Sequence, residues 1–170
     1  MKRIFAISLA MLLLCGCMLF AACGKTPIPE GYQLYDNGAI SFAYPNTWTK
    51  KGVGAVILVN ETGVGNNITV VYEPKTDFYA TMDEASFNEQ MLPSIEAMGM
   101  TVTSVSVEQT KNANGVKITK IAYTSEYEAV QMKQTLFITE AGDQTYSVTV
   151  TEATPDAVLV ENVFNTLDVK

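Results

Sequence analysis

Apolar and polar residues alternate with a period of two through the stretch Val116–Glu152. The alternation is clearest near its end, where Tyr146, Val148 and Val150 are separated by serine and threonine. This period is typical of strands that bury one face more than the other. The stretch therefore predicts three antiparallel strands.

Two short turns delimit these strands. Asn114-Gly115 precedes the first strand and is the strongest hairpin signal in the chain. The turn Glu140–Asp143 contains Gly142, which can adopt a positive φ without a steric penalty. The two turns predict that the strands form a continuous meander.

Further strands are predicted on the N-terminal side of the meander, at Tyr32–Tyr35, Ala39–Tyr44, Val53–Asn60, Asn66–Tyr72 and Met100–Gln109. The link Glu61–Gly65 is rich in glycine, but strands precede and follow it. A phosphate-binding loop needs a strand before it and a helix after it. We therefore interpret this link as a hairpin loop.

Two segments have the period of an amphipathic helix. The first begins with a capping box of Thr81 and Glu84, is interrupted by Pro93 and ends near Gly99. We expect a kink or two short helices there. Apolar residues at helical spacing predict its buried face, namely Phe87, Met91, Ile95 and Met98.

The second helical segment follows Thr154 as N-cap, with Pro155 at the first helical position. Its buried stripe is predicted to comprise Leu159, Val160, Val163, Phe164 and Leu167. Because each helix has one apolar face, each is expected to lie on a sheet. The predicted fold class is α+β, an antiparallel sheet of about seven to eight strands with helices packed on its faces.

The N-terminus has the features of a secretory signal. Met1-Lys2-Arg3 is positively charged, and Ile4–Ala22 then contains no charged residue. An uncleaved transmembrane helix is the alternative interpretation, since about 20 apolar residues span a bilayer.

The end of this apolar run favours cleavage. Leu19-Phe20-Ala21-Ala22-Cys23 resembles the lipobox of bacterial lipoproteins. That resemblance implies that Cys23 is lipidated and becomes the first residue of the mature chain. The box departs from the usual pattern at Phe20, and an alternative box ends at Cys17.

The predicted organisation is a signal peptide at 1–22, a tether at 23–31 and a globular domain at 32–170. Pro27 and Pro29 should stiffen the tether. The predicted location is the extracytoplasmic face of the cell membrane, where two acyl chains give stable anchoring.

Composition excludes several kinds of function. The chain has 11 basic and 18 acidic residues, and because Lys2 and Arg3 lie in the leader, the mature part has a net charge of -9. We predict no nucleic-acid partner, because that needs a basic surface. The chain has 0 histidines, and its 3 cysteines lie at or before Cys23, so we predict no metal site and no cofactor.

An early aromatic strand carries the second resemblance. Phe42, Tyr44-Pro45 and Trp48, together with the order of strands and helices, resemble the start of the PsbP-like (DcrB-like) domains. The resemblance implies an antiparallel sheet with helices on its faces and no shared active site. We interpret Trp48 as a residue that caps the core, with a stacking platform for a ligand as the alternative.

The sequence does not identify a ligand. We predict a non-catalytic binding or accessory module of the cell envelope, with the membrane and an envelope protein as partners. Tyrosines near predicted strand ends are the candidate contact residues, because interfaces are enriched in tyrosine: Tyr32, Tyr35, Tyr72, Tyr79 and Tyr127. The alternative is an envelope hydrolase that uses carboxylates, drawn from Glu126, Glu128, Glu140, Asp143 and Glu152.

Overall fold

The computed structural model describes residues 25–52, 55–60 and 65–170. The elements in this part of the chain are β1 (Tyr32–Asp36), β2 (Ile40–Pro45), β3 (Thr49–Lys51), β4 (Val56–Val59), β5 (Asn67–Pro74), α1 (Glu84–Gln90), α2 (Leu92–Ala97), β6 (Thr101–Lys111), β7 (Lys117–Tyr127), β8 (Val130–Ala141), β9 (Gln144–Glu152), α3 (Ala157–Thr166) and β10 (Asp168–Val169).

The strands form two antiparallel sheets. The larger has seven strands in the order β3-β4-β5-β9-β8-β7-β6, and the smaller has the order β1-β2-β10. The predicted meander is confirmed as β7, β8 and β9, which are neighbours in the larger sheet. The α+β fold class, with an antiparallel sheet and helices packed on its faces, is confirmed.

One face of the large sheet packs against α3 and the small sheet. Leu159 and Val163 of α3 and Phe42 of β2 belong to the same buried cluster as Phe137 and Val148 of the large sheet. All five side chains are fully buried. This face therefore holds the main core.

The opposite face is covered only in part. Helices α1 and α2 place Phe87 and Ile95 against Ile121, Tyr123 and Ile138 of β7 and β8. On β5 and β9 the same face carries polar, half-buried side chains, namely Asn67, Thr69, Ser147, Thr149 and Thr151.

The expectation that each meander strand buries mainly one face is wrong for β7 and β8. Ile118 and Phe137 face the cluster under α3, whereas Ile121 and Ile138 face the cluster under α1 and α2. Because helices lie on both sides of these strands, alternate side chains are buried in opposite directions.

Both predicted helix caps are wrong. Helix α1 is capped by Asp83, whose Oδ1 accepts from Ser86 N at 2.8 Å. Thr81 still belongs to the preceding turn, because the next residue, Met82, is buried and its N–H donates to Tyr79 O at 3.3 Å.

The cap of α3 is Asp156, whose Oδ1 accepts from Leu159 N at 2.9 Å. Thr154 and Pro155 precede the helix, because Asp156 N donates to Glu152 Oε1 at 2.6 Å and holds the chain in a turn.

Pro93 divides the first helical segment into α1 and α2, as predicted. Phe87 and Ile95 are buried, but the predicted core residue Met98 is 61% exposed. Helix α2 ends at Ala97, so helical spacing no longer directs Met98 toward the core.

Candidate functional site

The predicted tether contacts the domain. Lys25 Nζ forms an ion pair with Asp168 Oδ2. Thr26 N and Thr26 Oγ1 donate to Asn114 Oδ1 at 2.8 and 2.9 Å. These contacts hold the start of the described chain against the turn between β6 and β7.

That turn is tied to the end of α3 by Asn112, which is 8% exposed. Asn112 Nδ2 donates to Phe164 O at 2.8 Å and to Leu167 O at 2.5 Å. Its Oδ1 accepts from the N–H groups of Asn114 and Val116, both at 3.1 Å. One side chain thus satisfies four backbone groups.

A segment that we call the strap, Lys75–Met82, crosses the sheet from β5 to α1. Gln109 Nε2 donates to Tyr79 O at 3.1 Å and to Met82 O at 3.2 Å. Thr119 Oγ1 donates to Tyr79 O at 2.8 Å. The strap is therefore held by side chains of β6 and β7.

An open cavity of about 870 Å³ lies between the strap and the sheet. We call it the strap cavity. Its apolar wall includes Val116, Ile118 and Ile138, and its hydroxyl groups include those of Thr119 and Thr145. A concave site of this size with mixed walls suits a small molecule or a short peptide segment.

Two lysines of the strap cavity lie directly opposite each other. Lys111 of β6 and Lys117 of β7 are the last paired residues before the turn. Like charges in this position repel. Neither ammonium group forms an ion pair with any residue that the structure describes.

The other charged groups of the cavity are partly compensated. Glu140 pairs with Lys75 at 2.5 Å. The hydrogen bond to Glu140, and then the charges of Glu140 and Asp77, raise the pKa of Lys75 above its ordinary value. Lys111 and Lys117, which are both exposed, are the lysines of the cavity wall that have no ion pair among the described residues.

The strap also carries a perturbed phenol. Burial is the first cause that raises the pKa of Tyr79 to about 12, and a hydrogen bond to Glu73 is the second. Tyr79 therefore keeps its phenolic proton to a higher pH than an exposed tyrosine does.

These features meet at one end of the large sheet, which we call the tether end. It comprises residues 25–26, 36–38, 73–79, 111–117, 140–144 and 168–170. The opposite end, which we call the hairpin end, contains the turn between β7 and β8 and the link from α2 to β6, residues 126–132 and 97–100.

The structure separates the candidate carboxylates. Glu126 and Glu128 are exposed at the hairpin end, whereas Glu140 and Asp143 lie at the tether end. Glu152 is 3% exposed and accepts from Asp156 N, so it serves the turn before α3. The five residues do not form one site.

The candidate tyrosines are also dispersed. Tyr35 is buried and stacks on Phe42 with ring centroids 4.9 Å apart. Tyr72 and Tyr127 are exposed at opposite ends of the sheet, and Tyr32 is half-buried. Of this set, only Tyr79 lines the strap cavity. Trp48 packs half-buried against the main core, as expected for a residue that caps it.

The candidate lipidation residues, Cys23 and its alternative Cys17, lie outside the described residues. Within the described part, no helix has both the length and the apolar composition needed to span a bilayer. The same residues contain no group of three or more acidic side chains suited to a metal ion.

Sequence reasoning missed the lysine pair and the residues that hold the strap. A two-residue turn at Asn114-Gly115 would have placed Lys111 opposite Ile118. The lysines face each other because the turn is longer, with Asn112 N donating to Val116 O at 3.2 Å. Gln109 and Thr119 gave no comparable signal, because their role depends on the path of the strap across the sheet.

No protein-family model matches the chain. A search of curated proteins found no match either. The PsbP-like resemblance therefore stays a prediction.

Two solved structures are similar to parts of this chain. A protein from Bacteroides thetaiotaomicron, with a crystal structure at 1.50 Å, has 17% identity and a TM-score of 0.48; the match covers 86% of this chain and 48% of that one. This chain thus spans about half the length of the Bacteroides protein. PA94 of Pseudomonas aeruginosa, a protein of unknown function, has 13% identity and a TM-score of 0.38, with 71% of this chain and 82% of that chain covered.

Proposed function

We propose that this chain is a membrane-anchored extracytoplasmic lipoprotein with a PsbP-like domain that serves as a non-catalytic binding or accessory module of the cell envelope. The lipid is carried by Cys23, and the strap cavity is the binding site. The observation that supports binding is the cavity itself, with its apolar wall, threonine hydroxyls and unpaired lysines.

The position of the tether supports the anchored arrangement. Lys25 and Thr26 contact the same end of the sheet that holds the strap cavity. An anchor at Cys23 therefore places the cavity near the membrane surface, where an envelope partner or ligand is accessible. No arrangement of carboxylates in the described residues favours the alternative of a hydrolase.

The anchor is tested by metabolic labelling with a palmitate analogue. We expect Cys23→Ala to abolish labelling and to release the protein from the membrane fraction. Labelling that persists in Cys23→Ala and disappears in Cys17→Ala would move the lipid to Cys17.

Binding is tested by crosslinking on intact cells. Ala80 is an exposed residue of the strap that lines the cavity, so Ala80→Trp should fill the cavity and remove the captured partner. Ala153→Trp is the matched control, because Ala153 is exposed and does not line the cavity. Capture that is equal in the two variants would exclude the strap cavity as the binding site.

A further inference from the structure

The distance between the proposed lipid and the domain is short. Cys23 precedes Lys25 by two residues, and two residues of fully extended chain span at most about 7 Å. Whatever path the chain takes, the lipidated residue lies within that distance of Lys25. The bilayer surface is therefore close to the part of the domain that Lys25 contacts.

That part of the domain is fixed. Lys25 pairs with Asp168 at the C-terminal strand, and Thr26 is bonded to Asn114 in the turn between β6 and β7. Since the tether is attached at two points, the domain is expected to keep one end toward the membrane rather than to rotate freely about its anchor.

The distribution of charged residues favours an orientation with the tether end toward the membrane. Five of the described lysines and six of the described acidic residues belong to the tether end: Lys25, Lys75, Lys111, Lys117 and Lys170, with Asp36, Glu73, Asp77, Glu140, Asp143 and Asp168. The rest of the described chain has four lysines and eleven acidic residues. The tether end is nearly neutral, while the remainder would be repelled by anionic lipid.

From these observations we infer that the tether end is a membrane-contacting surface, and that Lys111 and Lys117 contact the phosphate groups of lipid headgroups. The inference rests on the proposed function, because it needs the lipid at Cys23. A phosphate beside the pair would relieve the repulsion between two ammonium groups that have no carboxylate partner among the described residues. The strap cavity then opens beside the headgroup region.

The test uses the full lipidated chain on vesicles of phosphatidylglycerol and phosphatidylcholine. A membrane-impermeant amine-acylating reagent modifies exposed lysines, and mass spectrometry gives the rate at each one. We expect modification of Lys111 and Lys117 to be about fivefold slower than in the Cys23→Ala protein without vesicles. Lys50 and Lys51, exposed on β3, should react at unchanged rates.

A charge-matched pair of variants sharpens the test. Lys111→Gln with Lys117→Gln should restore modification of Lys170, another lysine of the tether end, toward its rate without vesicles. Lys50→Gln with Lys51→Gln removes the same charge from β3 and should leave the protection of Lys170 intact.

Three results would overturn the inference and leave the anchor standing. The first is equal modification of Lys111 and Lys117 with and without vesicles. The second is equal protection of the anchorless protein by inorganic phosphate, which would assign the pair to a free anion. The third is a lipid found on Cys17, because the chain between the lipid and Lys25 would then be too long to fix the orientation of the domain. A lipid mass absent from both cysteines would instead refute the proposed function, and the N-terminal peptide reports this independently.

Discussion

The two ends of the large sheet are built differently. All three ion pairs formed among the described residues lie at the tether end. Its turn between β6 and β7 uses Asn114-Gly115 and is held by Asn112, which is buried. This end combines favourable turn residues with contacts to both termini of the described chain.

The hairpin end has neither feature. Its turn between β7 and β8 places Glu128 at φ 48° and Ala129 at φ 63°. These left-handed conformations favour asparagine and glycine. Around the turn, Tyr127, Val130 and Met98 are 44%, 54% and 61% exposed.

Ion pairs and buried hydrogen bonds are therefore concentrated at the end of the sheet where both termini of the described chain are attached. The hairpin end has left-handed non-glycine residues and exposed apolar groups, and neither is needed to complete the core. If the tether end faces the membrane as we propose, the hairpin end points away from it.

Asn112→Ala should have the largest effect. It leaves the carbonyls of Phe164 and Leu167 and two N–H groups of the turn without their partner, so we expect a loss of about 3 kcal/mol in the free energy of unfolding. Denaturant-induced unfolding measures this loss. The N–H of Thr26 should also exchange faster, because the turn that holds Asn114 is loosened.

Asn66 provides the matched control near the hairpin end. Its side chain also bonds a backbone N–H and a carbonyl, both of Thr154, at 3.0 and 2.8 Å. These bonds are exposed and water can replace them, so Asn66→Ala should cost less than about 1 kcal/mol. Equal losses in the two variants would contradict the difference between the ends.

Glu128→Asn with Ala129→Gly should act in the opposite direction. The variant gives the turn the residues that its two positive φ angles favour, and we expect a gain of about 1 to 2 kcal/mol. Thermal and denaturant unfolding measure this gain. A double variant that unfolds more easily than the natural chain would contradict the prediction.

At the tether end, Gly142 already occupies a left-handed position, so Gly142→Ala should destabilise the protein by about 1 kcal/mol.

Much of the fold was predictable because local patterns and tertiary packing agree there. The meander followed from alternation and from the turns at Asn114-Gly115 and Gly142, and Pro93 correctly divided the first helical segment. The helix caps were wrong because Thr81 and Thr154 match capping patterns that Asp83 and Asp156 match equally well. Tertiary contacts of Met82 and Glu152 decide between them.

The candidate site was less predictable for a physical reason. The strap cavity forms where a segment without periodicity crosses two strands, and its contacts join residues 30 and 40 positions apart in sequence. Glu126 and Glu140 lie on neighbouring strands of the meander, yet the antiparallel register puts them at opposite ends. Spacing along the chain could not separate them.

Asn114→Ala should release the tether. The variant removes the oxygen that accepts from the Thr26 N–H and hydroxyl, a loss of about 1 kcal/mol that corresponds to about fivefold faster exchange of the Thr26 amide hydrogen. Hydrogen exchange read by NMR measures this rate.

Asn114→Asp is the comparison variant, because it keeps an acceptor oxygen for Thr26 and replaces the donor to Leu167 O with a second, negatively charged oxygen. Exchange at Thr26 should then stay slow. Fast exchange in Asn114→Asp would mean that the bond to Leu167, rather than the acceptor, holds the tether end together.

The smallest effect concerns Tyr79, whose ionisation makes the stability depend on pH only in alkali. Its pKa is raised from 10.0 to about 12 in the folded protein. Between these values the unfolded chain releases the phenolic proton and the native protein retains it. The stabilisation is therefore complete below pH 10 and is lost as the pH rises toward 12. Absorbance of the phenolate should show a step near pH 12 that is absent from Tyr79→Phe.

Glu73→Gln separates the two causes of this shift. This variant removes the charge of Glu73 and leaves Tyr79 buried. The phenolate step of Tyr79 should therefore move to lower pH but stay above the ordinary tyrosine pKa of 10.0. Tyr123 is the comparison outside the tether end, because burial alone raises its pKa. Glu73→Gln should leave the ionisation of Tyr123 unchanged. If both tyrosines shifted together, the change would reflect loosening of the whole sheet, and Glu73 would not be a local partner of the strap.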